Sequence, residues 1–161
     1  VAFILKKDYG FDALAFSDEL YVICRRLFGM GLKDRALLQD VGSALRSVDP
    51  EVFVKNTLSR AEDLPRVLIT DIRHPNEYKA LKDNGYIIIK VDAPLDKRIE
   101  RIEKRDRIKL EGEEYDRLVN SPIEKYMDDF EVDYILDNSK DGVDYLSEAI
   151  YEMIFKLIEE D

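Results

Sequence analysis

The run Val67-Leu68-Ile69-Thr70-Asp71-Ile72-Arg73-His74-Pro75-Asn76-Glu77 decides how the rest of the chain is read. Its first four residues are β-rich, apolar on both faces and too few for an ordinary helix. A strand without polar alternation belongs in a parallel sheet covered on both sides. Pro75 then opens a helix, because proline at the first helical position gives up an N–H that has no partner there anyway. The run is therefore strand, polar turn, helix.

Outward from it the same texture repeats. Tyr86–Val91 is a second apolar run after Asn84-Gly85, Pro75–Asp83 between them is helical, and Tyr134-Ile135-Leu136 is a weaker third run. Val143–Glu159 closes the chain as an amphipathic helix. Towards the start, residues 1–8 end a helix at Tyr9-Gly10, and Phe11–Phe16 is a short apolar run. Ser17-Asp18-Glu19 then offers an N-cap with acidic first-turn residues. Leu20, Ile23, Cys24, Leu27 and Phe28 share one face of the helix that follows. Lys33–Arg46 repeats that period with Leu37, Leu38, Val41 and Leu45, and Pro50 suits the first position of a third helix running to about Arg60. Helices alternating with such strands predict an α/β fold, a parallel sheet between two helical layers, with functional loops at the carboxyl ends of the strands.

Composition narrows the class. The 161 residues carry 25 Lys+Arg against 35 Asp+Glu, a net charge of −10, and 45% are hydrophobic. That is one domain, 1–161, apolar enough to fold. No stretch approaches the roughly 18 apolar residues of a membrane span. Val1–Leu5 is closed at once by Lys6, Lys7 and Asp8, which is not a signal peptide, so a cytoplasmic protein without membrane contact is expected. One cysteine, Cys24, and one histidine, His74, exclude disulfide scaffolds and Cys-based zinc sites. The acidic balance argues against a nucleic-acid surface, since little positive charge is spare to displace counterions from phosphates.

Three constellations can carry chemistry. Asp71 lies where the best strand ends, a place from which a carboxylate reaches a metal ion or its waters, and Arg73 presents a planar donor fork suited to phosphate. The same residues also suit a capped helix start, with Glu77 near the dipole and Asp71 paired to Arg73. Arg98, Arg101 and Arg105, spaced i, i+3, i+7 on the helix Asp96–Arg107, share a face and repel unless anions answer them. Alternatively they belong to a solvated face tied by Glu100–Lys104 and Glu103–Arg107. Gln39 and Arg46 share a face about two turns apart, with Gly42 between them at a cost of about 1 kcal/mol relative to Ala. Such a glycine marks close approach or ordinary helix packing. His74 receives no role, Cys24 reads as buried core, and Tyr115 and Tyr126 lie in an acidic stretch unsuited to phosphate.

In this order, Ser17-Asp18, Leu38-Gln39-Asp40-Val41-Gly42…Arg46, Ile69–Glu77, Val91-Asp92-Ala93-Pro94…Arg98…Arg101…Arg105 and Asp137-Asn138 resemble the bacteriophage-type deoxynucleoside monophosphate kinases. These are P-loop kinases related to adenylate kinase. The resemblance runs through nearly the whole chain, and Asp-x-Arg-x-Pro-Asn-Glu at 71–77 is its most specific piece. It implies a three-layer P-loop kinase fold, ATP as phosphoryl donor, Mg²⁺ and a (deoxy)nucleoside monophosphate as acceptor. Asp71 would hold Mg²⁺ through its waters, and Arg73 would span the acceptor phosphate and the transferring group. Asp18, Gln39, Arg46 and Glu77 would form the acceptor side. Arg98, Arg101 and Arg105 would come from a lid at about 95–130 and close on the donor phosphates, with Arg101 and Arg105 catalytic and Arg98 on ATP. Asn138 would lie near the donor adenine. Nucleotides are then the partners, and a homodimer is compatible with the sequence.

One departure stands against these agreements. G-x-x-x-x-G-K-[ST], the phosphate loop, does not occur: glycines fall only at 10, 29, 31, 42, 85, 112 and 142. Without its backbone N–H groups and Lys, phosphoryl transfer is crippled. The resemblance therefore implies a first, central strand and phosphate loop ahead of Val1. The rival expectations are a phosphomevalonate- or dephospho-coenzyme A-type kinase, and a nucleotide-binding module without turnover.

Overall fold

In a computed structural model, which describes residues 1–112, 115, 116, 127 and 129–159, the elements follow the order α1 Ala2–Tyr9, β1 Asp12–Ala15, α2 Asp18–Phe28, α3 Arg35–Val48, α4 Val52–Ala61, β2 Val67–Thr70, α5 Pro75–Asp83, β3 Ile89–Asp92, α6 Leu95–Asp106, β4 Tyr134–Asp137 and α7 Val143–Glu159. The chain is mixed α/β, and its described strands form two parallel pairs, β1 with β2 and β3 with β4. Two compact units result, Ala2–Ala80 and Val1 with Leu81–Asp161. Tyr126 and much of the expected lid at 95–130 lie outside the described residues.

In the first unit Asp12 pairs with Val67 and Ala15 with Thr70. The two strands therefore end level, and the turns after them lie side by side. Ile4 and Leu5 of α1, Leu14 and Phe16, Leu20 and Cys24 of α2, Leu38 of α3, and Phe53, Val54 and Ala61 of α4 build the core. Cys24 is fully buried, as its apolar helix face predicts. In the second unit Leu81, Ile88, Leu136, Ile150 and Met153 are buried, with α7 against β4.

Some boundaries shift for local reasons. Asp49 accepts from the Glu51 N–H at 2.9 Å, an Asx-turn that delays α4 to Val52, so Pro50 precedes the helix rather than opening it. The second apolar run enters its ladder only at Ile89. Ahead of it the Ile88 N–H donates to Asp133 Oδ2 at 2.7 Å, while its carbonyl accepts from the Asp133 N–H at 2.9 Å. The expected two-sided cover is incomplete in this pair: Val91 is 44% exposed and Ile135 61%. No helix among the described residues is long and apolar enough to cross a membrane.

Candidate functional site

The level ends of β1 and β2 place residues 16–18 beside residues 71–74 within the first unit. Asp71 links the two turns. Its Oδ1 accepts from the Phe16 N–H at 2.9 Å, and its Oδ2 accepts from the Ser17 N–H at 3.2 Å and the Ser17 hydroxyl at 2.6 Å. Ser17 precedes α2 but makes no side-chain cap, because its hydroxyl goes to Asp71 instead. Nor does Asp71 pair with Arg73. The backbone at Asp71 is left-handed, φ 60°, a conformation that Asp tolerates better than most residues.

Asp18 closes the same turn by accepting from the Ala15 N–H at 3.0 Å, and it pairs with Arg60 of α4 at 3.2 Å. Both line a surface groove of about 520 Å³ with Glu19, Tyr21, Val22 and Arg25. Arg25 and Lys33 each lie 5.7 Å from the Tyr21 ring centre. Arg60 escapes a sequence reading because it carries no motif and meets Asp18 only through the fold.

Glu77 is 2% exposed, and each of its carboxylate oxygens faces a cation or N–H donors. Oε2 accepts from the Arg73 N–H at 2.8 Å and the His74 N–H at 3.0 Å, and Oε1 lies 3.6 Å from Arg46 Nη2. The first of these functions is helix capping: a glutamate at the third helical position reaching back to the N–H before the helix. The link to Arg46 is not. The Arg46 guanidinium lies 4.7 Å over the Phe53 ring and is about one-third exposed. Gly42 makes room for it, since a Cβ there would meet Arg46 Nη1 and Leu20 Cδ2, each at 3.2 Å. The glycine thus marks close approach of a guanidinium. Burial lowers the His74 pKa below its usual value, Glu77 opposes this, and Arg46 and Arg73 reinforce it. Burial and the two guanidiniums thus bias the imidazole towards its neutral form. The Arg73 side chain is exposed and makes no hydrogen bond or ion pair with a described residue. Gln39 is exposed on α3.

In the second unit Arg101 is committed. Its guanidinium donates to the Asn138 carbonyl at 2.8 Å, the Lys140 carbonyl at 2.9 Å and Asp141 at 3.0 Å. Lys97 adds an ion pair to Asp141 at 3.0 Å, and these two cations hold the Asp141 carboxyl below its usual pKa. Arg98 and Arg105 are exposed on the same helix. Within and next to α6, Lys97 also pairs with Glu100, and Glu103 accepts from the Leu110 N–H at 2.8 Å. Asn138 contributes through its backbone, with its N–H donating to the Asp92 carbonyl at 2.7 Å.

The donor set fits Mg²⁺ in one way only. Among the described residues no group of three or more His, Cys, Asp or Glu side chains could hold a metal ion. Asp71 has three of about four acceptor positions filled, which leaves room for a metal-bound water rather than a direct ligand set. No family model matches the chain, and no curated protein matches it by sequence.

Proposed function

We propose that this protein transfers the γ-phosphoryl group of ATP to a (deoxy)nucleoside monophosphate, on a three-layer P-loop kinase fold. One observation carries the reading. The carboxyl ends of two parallel strands gather Asp71, Arg73, Asp18, Arg46 and Glu77, which are the residues the resemblance assigns to metal and acceptor.

Phosphoryl transfer asks little covalent chemistry of a protein, but needs in-line positioning and positive charge around the moving group. Arg46 binds the acceptor phosphate, and Arg73, with its guanidinium open to solvent, follows the charge as it develops. Asp18 and Gln39 contact the nucleoside. Mg²⁺, when bound, neutralises donor phosphate charge, and Asp71 would hold it through water. Arg98, Arg101 and Arg105 are donor-side residues by resemblance.

A nucleotide-binding module without turnover is the second reading, and one fact favours it: the 161 residues contain no G-x-x-x-x-G-K-[ST]. The full encoded protein, given ATP, Mg²⁺ and a panel of deoxynucleoside monophosphates, separates the two by ADP release. Release dependent on one acceptor supports the kinase, and binding without release supports the module. Phosphomevalonate and dephospho-coenzyme A in the same panel test the related kinases.

A further inference from the structure

We infer that Glu77 is a positioning residue that presets the Arg46 guanidinium and the backbone carrying Arg73, so that the two guanidiniums form one phosphomonoester-binding unit. This rests on the acceptor-side reading above and adds to it the source of the site's order. A carboxylate only 2% exposed is costly to bury unless fully partnered. Here two backbone N–H groups and a guanidinium answer it. Capping α5 needs only the two N–H groups, because exposed Asp or Ser side chains cap helices elsewhere. The buried charge is explained by what else it holds.

Arg46 is restrained from two directions, in space that Gly42 leaves open. Phe53 lies beneath the guanidinium plane at 4.7 Å, Gly42 removes the Cβ that would crowd Nη1, and Glu77 attracts Nη2 from 3.6 Å. That separation exceeds a hydrogen bond, so the donor fork is oriented without being occupied. A free arginine surrenders much rotamer freedom on gripping an anion, and one held in place surrenders less. The Arg73 side chain leaves from the segment whose N–H the other Glu77 oxygen fixes. One carboxylate therefore sets the base of both guanidiniums.

The test has an arm that needs no ligand. Side-chain ¹⁵N relaxation at Arg46 Nε should show an ordered guanidinium in the native protein and a mobile one in Glu77→Gln, which keeps a carbonyl to cap α5 but loses the charge. An equally ordered Arg46 in Glu77→Gln overturns the inference. The second arm titrates inorganic phosphate and a deoxynucleoside monophosphate. Glu77→Gln and Arg46→Ala should each weaken binding about tenfold, and the double variant should be no weaker than Arg46→Ala alone. Additive losses overturn the positioning role and leave the acceptor reading intact. An ordered, Glu77-dependent Arg46 in a protein that binds neither probe overturns the phosphomonoester assignment. Should Glu77→Gln fail to fold, Gly42→Ala displaces Arg46 with Glu77 in place. It should show the same mobility and the same weakening, and unchanged order and binding there overturn the inference.

Discussion

The hydroxyl of Ser17 donates to the Asp71 carboxylate at 2.6 Å across 54 residues of sequence, and this bond joins the turns that follow β1 and β2. Two further N–H groups converge on the same carboxylate. Asp71→Asn keeps a residue that accepts the left-handed backbone, so its effect reports the carboxylate rather than strain. It points an amide donor at donors already there. The expected loss is about 1–3 kcal/mol in urea denaturation, and an unchanged midpoint would show that the clamp contributes nothing.

Arg73 offers the opposite case. Its side chain is exposed and has no hydrogen-bond or ion-pair partner among the described residues. Arg73→Ala should therefore leave the melting temperature unchanged while lowering kcat by on the order of 10²–10³. A fully active variant would remove Arg73 from the proposed chemistry.

Arg101 is tied to the loop after β4 by three acceptors. Arg101→Ala should destabilise the second unit by on the order of 1–2 kcal/mol and speed amide exchange at Ser139–Asp141. Unchanged exchange, with lost activity, would return this residue to a purely ligand-facing role.

Thr57 is 1% exposed on α4, and its hydroxyl has no hydrogen-bond partner among the described residues. Thr57→Val keeps the shape and removes a desolvated polar group, so stability should rise by about 1 kcal/mol or more. Calorimetry checks the sign, and a destabilised variant would reveal a partner for the hydroxyl.

Asp133 accepts from the Ile88 N–H and from Lys82, and these two donors hold its carboxyl below the usual 3.8. A folded value below the unfolded one stabilises above the unfolded value, and that contribution disappears as pH falls through the folded one. Asp133→Asn should therefore be less stable than the native protein at pH 7, with the gap closing as pH falls below 3.8 and through the lowered folded value. Paired urea midpoints across that range measure it, and a gap independent of pH would assign the effect to packing.

The local readings that held share a cause. β2 at Val67–Thr70, α5 at Pro75–Asp83, α7 at Val143–Glu159 and buried Cys24 each follow from a period or a punctuating residue within a few positions. Where side chains compete with the backbone, local pattern misled. Asp49 moved the start of α4, Asp133 took the place of a ladder partner for Ile88, and Ser17 gave its hydroxyl to Asp71 instead of α2.

By itself the sequence determined which segments are helix and which are strand, and that polar residues follow the strands, because periodicity and turn chemistry act over one or two turns of chain. Only the tertiary structure decided that Asp71 serves Ser17, that Asp18 meets Arg60, that Glu77 comes within 3.6 Å of Arg46, and that Arg101 donates to residues 138–141. Those pairings depend on which turns the parallel register brings level and which helices the core draws together. The energies that choose them come from contacts tens of residues apart, which no local pattern records.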